Sequence, residues 1–173
     1  MTAAAALAPR VQSWYAVQTR YRCEQKVTAH LQQKGLETFL PVVKQTHRWS
    51  DRLKRIEVPL FSGYTFARLD SSASLRKELL QTSGVLGIIS FAGAASAVPD
   101  KQIEDLRLLL ARKVPCSLHA FLKIGQAVRV RGGCLDGIEG ILEENEEKSL
   151  VISITCIKRS IAIKIEGYEL ELI

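Results

Sequence analysis

The chain has 173 residues, of which 47% are hydrophobic and 24% are charged, a balance typical of folded globular proteins that excludes wholesale disorder. No apolar run approaches the roughly 18 residues that indicate a membrane span, and the alanine stretch at the start lacks the basic residues of a secretory signal. The net charge of +6 is unevenly distributed: residues 1–114 carry 17 Lys and Arg against 9 Asp and Glu, whereas residues 115–173 carry 7 against 9. The front part therefore has the charge to meet a polyanion, and the back part does not.

The pattern of residues 12–112 predicts an α+β domain, preceded by a disordered lead-in at 1–11. Aromatic and β-branched residues indicate strands, and apolar residues three or four apart indicate helices, which Gly35 and Gly84 end. The predicted elements are a strand at 14–18, a helix through 23–31, a strand at 37–43, a strand within 58–69, a helix at 71–82, a strand at 85–91, a loop at 93–98 and a helix that opens at Pro99.

The pattern changes after Pro115, which disfavours a continued helix, and a linker is predicted at 113–122. From residue 123 to residue 173, apolar and polar residues alternate with period two in short runs that turn-like stretches separate. This alternation is typical of strands with one buried face. It predicts a small all-β barrel as the second domain.

The segment 44–55 (KQTHRWSDRLKR) is the most informative local feature. It lies between two predicted strands, so we expect an exposed hairpin tip or a long loop. Its cations can neutralise phosphates, and an exposed tryptophan can stack on an unpaired base; the alternative is a solvated loop whose tryptophan folds back on the domain. The candidate nucleic-acid contacts are Lys44, His47, Arg48, Trp49, Arg52, Lys54 and Arg55.

The segment 59–66 (PLFSGYTF) places three aromatic residues within six positions. Alternation puts Tyr64 and Phe66 on one face of the strand. If that face is the core, the two rings fill it; if it is not, they form an apolar docking patch.

No group of residues supports an enzyme. The three histidines are scattered, and the four cysteines have no spacing that would hold a metal. Cys134 with His119 lacks an orienting third group, and the acidic pairs at 143–147 lie on a predicted turn. We therefore expect no catalytic site, no metal and no cofactor. Unpaired thiols favour the reducing cytoplasm, and we expect a monomer with no membrane partner.

Two sets of motifs resemble a known family. The motifs WYAV (14–17), FLP (39–41), PLFSGYTF (59–66) and VP (98–99) resemble the NusG amino-terminal domain, and IGQAVRV (124–130) followed by GIEGIL (137–142) resembles a KOW motif. The resemblance covers about residues 12–173. It implies a NusG amino-terminal domain at 12–112 and a KOW domain of SH3-like barrel type at 123–173. The short chain, compact linker and basic segment are more similar to specialised antiterminators of the RfaH and UpxY type than to housekeeping NusG.

The resemblance implies a non-enzymatic transcription elongation and antitermination factor. In this family the first domain binds the clamp helices of RNA polymerase, suppresses pausing, and contacts non-template or upstream DNA. By position, Tyr64 and Phe66 match the aromatic pair that docks on the clamp, with Gln18 and His30 nearby. The basic segment 44–55 matches the element that faces DNA. The polar motif that reaches across the channel in RfaH is absent at 75–77, which leaves Arg76 and Lys77 as candidates for that contact.

The KOW domain of such proteins recruits a second partner, which the resemblance gives as a small-subunit ribosomal protein, the termination factor Rho, or RNA. The loop that carries an aromatic residue in NusG is occupied here by Cys134 and Leu135. The β-branched runs at 151–155 and 161–165 favour a barrel over a helical form. The rival interpretation is a ribosome- or RNA-associated KOW-domain protein, against which the acidic character of the second domain argues.

Overall fold

The computed structural model describes residues 12–48, 53–70, 73–119, 125–144, 148–165 and 168–173. These residues form an α+β protein of antiparallel strands with three α-helices. The elements in chain order are β1 (Gln12–Thr19), α1 (Glu24–Gln33), β2 (Glu37–Phe39), β3 (Val42–Arg48), β4 (Leu53–Pro59), β5 (Tyr64–Asp70), α2 (Ala73–Leu80), β6 (Val85–Ile88), β7 (Ser90–Phe91), β8 (Ala94–Ala95), β9 (Ala97–Val98), α3 (Asp100–Ala111), β10 (Cys116–His119), β11 (Gln126–Arg131), β12 (Glu139–Glu144), β13 (Lys148–Ile154), β14 (Arg159–Lys164) and β15 (Glu169–Leu172).

The fold divides into two compact units, and neither unit is a continuous stretch of chain. Of the described residues, those up to 40 and those within 63–97 form the first unit, and those within 41–62 and from 98 onward form the second. No helix within the described ranges combines the length and hydrophobicity needed to cross a membrane.

An antiparallel sheet of order β2-β5-β1-β6 organises the first unit. Its core forms where α1 covers one face: Val27 and Leu31 of the helix pack with Val17, Ala67 and Leu69 of the sheet, all of them buried. Because side chains alternate along a strand, the partners Ala16–Phe66 and Gln18–Tyr64 of β1 and β5 lie on the opposite face.

The second unit contains a two-stranded hairpin, α3 and a six-stranded antiparallel sheet. The hairpin pairs β3 with β4 from Val42–Pro59 to Arg48–Leu53. The sheet has the order β10-β14-β13-β12-β11-β15 and is called here the C-terminal sheet. Its strands β11, β13, β14 and β15 lie where the period-two runs of residues 123–173 predict strands, while the domain bounds themselves stay a prediction. Leu150, Val151 and Ile152 are all buried, so β13 is covered on both faces where alternation alone predicts one.

Several predicted boundaries differ from the observed ones for local reasons. Pro41 lacks the N–H that a ladder needs, and the predicted strand 37–43 is accordingly split into β2 and β3. The predicted strand 85–91 divides into β6 and β7, and the predicted loop 93–98 contains the short strands β8 and β9. Residues 116–119, within the predicted linker, form β10 and pair in register with residues 160–163 of β14. This strand forms because β14, more than 40 residues later in the chain, has an edge with which it can pair. The sequence around Pro115 gives no sign of that distant partner.

Charged side chains link β11 to the strands on either side of it. Arg129 donates to Glu139 of β12, with Nη2 and Oε1 at 2.6 Å. Arg129 also lies 3.6 Å from Glu171 of β15, and Arg131 pairs with the same carboxylate. The last strand therefore carries the negative charge that faces the two arginines of β11.

A buried carboxylate joins α3 to the C-terminal sheet. Asp105 is almost fully buried, pairs with Lys101 at 2.5 Å, and accepts a hydrogen bond from the Glu139 N–H at 3.3 Å. Lys101 Nζ also donates to the Gly137 carbonyl oxygen at 2.7 Å. Burial raises the pKa of Asp105 above its ordinary value, and the hydrogen bond and charge of Lys101 oppose the rise.

This shift makes a prediction about pH and stability. Because the folded protein holds the Asp105 proton more tightly than the unfolded chain does, its contribution to the free energy of unfolding falls as pH rises from about 4 through the folded pKa. Asp105→Asn removes this titration. Urea denaturation of both proteins across a pH series should show the stability of the wild type falling relative to that of the variant, and a constant difference would contradict the assignment.

Candidate functional site

The open end of one sheet face in the first unit carries a row of three residues on adjacent strands. Tyr64 of β5 is the register partner of Gln18 of β1, and Gln18 is in turn the partner of Gly87 of β6. Gln18 is exposed and Tyr64 is half-buried. A Cβ at Gly87 would meet no atom within 4 Å, so the space above it is open. We call these three residues the Tyr64 row.

A hydrogen-bond network beneath β5 fixes the position of Tyr64. The buried carboxylate of Glu24, in the first turn of α1, accepts a hydrogen bond from the Gly63 N–H at 2.7 Å. Gly63 has a φ of +82°, a left-handed conformation that glycine adopts without strain. Its carbonyl oxygen accepts a hydrogen bond from the Thr19 N–H at 2.8 Å. One residue past Tyr64, the hydroxyls of Thr28 and Thr65 lie 2.8 Å apart. The tyrosine is thus held between two tethered neighbours.

The structure separates the other two candidate docking residues from this row. Phe66 is 0% exposed, and its ring stacks on that of Phe39 with 6.2 Å between centroids. The docking role predicted for Phe66 is therefore corrected: its ring is buried against Phe39 and leaves no surface for a partner. His30 is half-exposed but belongs to α1, which packs on the opposite face of the sheet. It does not join the Tyr64 row.

The basic segment forms the outer part of the β3–β4 hairpin. Lys44, Lys54 and Arg55 are all exposed. Since Lys54 and Arg55 are consecutive in a strand, they point to opposite faces of the hairpin. The backbones of His47 and Arg48 belong to β3, opposite Lys54 and Leu53, whereas the predicted contacts Trp49 and Arg52 lie outside the described residues. The described part of the hairpin therefore presents cations on both faces. The expectation of a long loop between the strands is wrong, because β3 and β4 pair up to Arg48 and Leu53; whether Trp49 folds back on the domain lies outside the described residues.

The exposed face of α2 carries the next pair of candidates. Arg76 and Lys77 are both exposed, while Leu79 is fully buried in the core below α1. Lys34, near the end of α1, donates to the Glu78 carbonyl oxygen and to the Thr82 hydroxyl, each at 2.8 Å. These bonds tie the ends of the two helices together and hold the Arg76–Lys77 pair in a fixed place on the first unit.

The predicted partner loop of the C-terminal sheet contains an aromatic contact that sequence analysis missed. The Cys134 Sγ lies 2.9 Å from the hydroxyl of Tyr168, and a Cβ at Gly133 would lie 2.9 Å from the Tyr168 ring. The hydrogen bond to Cys134 is the main cause that raises the pKa of Tyr168 above its ordinary value. Leu135 is 1% exposed and fills the core, which corrects its assignment to a partner surface. The exposed part of the loop is therefore Cys134 with Tyr168 beside it.

A signal for Tyr168 exists in the sequence, because it is the sole aromatic residue after Phe121. Metal binding finds no support in the described part of the chain, where no three or more His, Cys, Asp or Glu side chains are grouped so as to hold an ion.

A comparison with protein families decides the affiliation of the chain. The family model described as transcription termination factor nusG matches residues 12–107, which is more than half of the chain. The chain belongs to the NusG family.

Individual NusG proteins are similar over nearly their whole length. The transcription termination/antitermination protein NusG of Staphylococcus epidermidis is 23% identical over 171 residues, covering 91% of this chain and 94% of that protein. The NusG protein of Halalkalibacterium halodurans is 21% identical over 173 residues, with 92% and 97% covered. A solved structure of Thermotoga maritima NusG superposes with a TM-score of 0.56 at 19% identity, covering 92% of this chain and 97% of that one. The chain is thus a NusG-type transcription factor with the NusG fold.

Proposed function

We propose that this NusG-family chain binds bacterial RNA polymerase during elongation, docks on the polymerase clamp through the Tyr64 row, and suppresses pausing and termination. The observation that carries the proposal is the row itself: a half-exposed tyrosine, an exposed glutamine and an open glycine position on three adjacent strands. Together they make an open surface at the end of a sheet.

Tyrosine suits such a surface because it combines a large apolar ring with a polar end and few rotatable bonds. Its rigid setting adds to the affinity, since the Glu24–Gly63 contact orders the neighbouring backbone before binding. Gln18 supplies an amide that can both donate and accept. The surface is therefore equipped to bury one aromatic anchor with polar contacts around it.

The hairpin supplies the second part of the proposal, which is contact with non-template or upstream DNA in the elongation complex. Lys54 and Arg55 project to opposite faces, so a phosphate backbone can be met from either side. Arg76 and Lys77 on α2 supply a further cationic surface, which we assign to contact across the DNA channel. Cys134 with Tyr168 forms the surface for the second partner, a small-subunit ribosomal protein or Rho.

The test uses the purified chain with bacterial RNA polymerase on single-round transcription templates that contain a pause site and a terminator. We expect a gel shift of the elongation complex and faster passage through both sites. Templates with and without the sequence upstream of the native operon separate general from sequence-recruited action. A folded protein that neither shifts the complex nor changes pausing on any of these templates would refute the proposal.

The hairpin assignment makes a prediction of its own. Lys54→Ala with Arg55→Ala should leave polymerase binding nearly unchanged but reduce the effect on pausing. For binding to a single-stranded oligonucleotide, the slope of log affinity against log salt should fall by about 0.7 for each phosphate that the variant no longer neutralises. Filter binding at several salt concentrations measures the slope. An equal reduction of polymerase binding and pause suppression would mean that the hairpin is part of the docking surface.

A further inference from the structure

A groove in the second unit lies where the base of the β3–β4 hairpin faces the end of α3. Its volume is about 540 Å³, within the range of sites that hold a ligand. One wall is four consecutive residues of β3, and the other is the last turn of α3 with the segment that follows. The lining residues are Val42, Val43, Lys44, Gln45, Leu110, Lys113, Val114 and Pro115.

The β3 wall is the edge of a strand. Within the described residues, β3 pairs only with β4, in a two-stranded sheet. Every second residue of such a strand directs its N–H and C=O away from its partner. These groups can pair with an added strand. A groove that runs along the edge of β3 would be lined by consecutive residues of that strand, and this groove is lined by four of them.

The charge of the groove is positive on both walls. Lys44 and Lys113 are exposed, and neither ammonium forms an ion pair with any described residue. None of the lining residues is acidic; Glu57, the cross-strand partner of Lys44, lies on β4 outside the lining. The remaining surface is mostly aliphatic, with Val42, Val43, Leu110, Val114 and Pro115 between the two lysines.

Lys113 adopts a backbone conformation that lysine disfavours. Its φ is +54°, and its N–H donates to the Leu110 carbonyl oxygen while the Val114 N–H donates to that of Leu109, each at 3.1 Å. This is the Schellman arrangement, whose left-handed position glycine normally occupies. A lysine at a position that favours glycine carries backbone strain, which replacement by glycine would relieve.

We infer that this groove binds an extended acidic peptide of a protein partner, which adds a strand to β3, places apolar side chains between the walls, and pairs its carboxylates with Lys44 and Lys113. The open edge supplies main-chain hydrogen bonds, and the lining supplies specificity. A peptide fits better than single-stranded nucleic acid because the lining has no aromatic ring on which a base could stack. Peptide binding in this groove does not require polymerase docking.

The test uses the full chain and a fluorescein-labelled heptapeptide of alternating glutamate and valine with blocked termini. Fluorescence anisotropy should show saturable binding. The same peptide with lysine in place of glutamate should not bind, and N-methylation of its edge-facing amides should weaken binding at least about tenfold, since the carbonyl oxygens that they would pair with are left unsatisfied. Equal affinity of the N-methylated peptide would overturn strand addition.

Lys113→Gly separates binding from stability. It removes a charge and relieves the strained backbone, so the melting temperature should stay equal or rise while peptide affinity falls about three- to fivefold. Lys158→Gly is the matched control, because Lys158 is also exposed with a positive φ of +49° but does not line the groove. It should leave peptide affinity unchanged. Weaker binding by both variants, or by neither, would overturn the site.

Two other occupants would also overturn the inference. Displacement of the peptide by a short oligo(dT) strand, with Lys113→Gly weakening both ligands equally, would identify nucleic acid as the occupant. A dimer in sedimentation velocity that the heptapeptide dissociates would identify a second copy of the chain. Neither outcome would bear on the Tyr64 row, whose test is binding to the polymerase.

Discussion

Tyr64→Ala is expected to weaken binding to the RNA polymerase elongation complex by at least about 30-fold, and to abolish pause suppression at protein concentrations that saturate the wild type. Truncating an interface tyrosine that fills a pocket on its partner typically lowers the binding free energy by about 2 kcal/mol or more. Tyr64 is the residue of this kind in the Tyr64 row. The effect should come from binding rather than folding, because Tyr64 is only half-buried and its neighbours are tethered independently by Glu24 and Thr28.

Two variants control this prediction. Tyr64→Phe keeps the ring and should retain most of the affinity if apolar burial dominates. Phe91→Ala removes an aromatic side chain that is 82% exposed in the first unit but outside the row, and it should leave binding unchanged. Circular dichroism and thermal melting establish that each protein is folded, and gel shifts with the elongation complex measure affinity. Wild-type recruitment by folded Tyr64→Ala would remove the row as the docking site.

Gly140→Ala is expected to destabilise the C-terminal sheet by about 1–3 kcal/mol, the usual cost of forcing extra volume into a packed core. Gly140 lies in β12, where an added Cβ would come within 2.7 Å of the Val151 carbonyl oxygen and 2.9 Å of Leu150 Cγ. Both of those residues are fully buried. The nearest obstacle is backbone, so a change of rotamer cannot relieve the clash.

Gly87→Ala is the matched control for stability, because it also lies in a strand but a Cβ there meets nothing within 4 Å. Its free energy of unfolding should stay within about 0.5 kcal/mol of the wild type. Urea denaturation followed by circular dichroism compares the two variants. Equal stability of Gly140→Ala and Gly87→Ala would show that β12 and β13 pack less closely in solution than the distances around Gly140 require.

The broad architecture could be predicted because it depends on local periodicity. Apolar spacing located the three helices of the described residues to within a few positions, and period-two runs located β11, β13, β14 and β15. Features that depend on pairing between distant segments could not be predicted in the same way. Strand β10 forms because the edge of β14 is available to pair with it. Val151 is buried even though alternation places its side chain on the opposite face of β13 from Leu150 and Ile152.

The candidate site was predictable to the extent that strand alternation determines it. Alternation correctly placed Tyr64 and Phe66 on one face, but it carries no information about depth, so it could not distinguish the half-exposed ring from the buried one. The family resemblance predicts that His30 and Gln18 lie near each other on the docking surface. In the structure they lie on different faces of the sheet. Tyr168 is conspicuous in the sequence as the sole aromatic residue after Phe121, but its contact with Cys134 joins residues 34 positions apart, and no local pattern could have revealed that contact.

The ion pairs between β11 and β15 have a practical consequence for shortened versions of the chain. Glu171 on β15 neutralises Arg129 and Arg131 and simultaneously covers the hydrogen-bonding edge of β11. Deleting residues 169–173 would remove both at once, leaving the edge of β11 unpaired and Arg131 without its carboxylate partner, while Arg129 keeps Glu139. Such an edge is a template for pairing with other chains, so truncated preparations should aggregate, most strongly in the presence of acidic polymers.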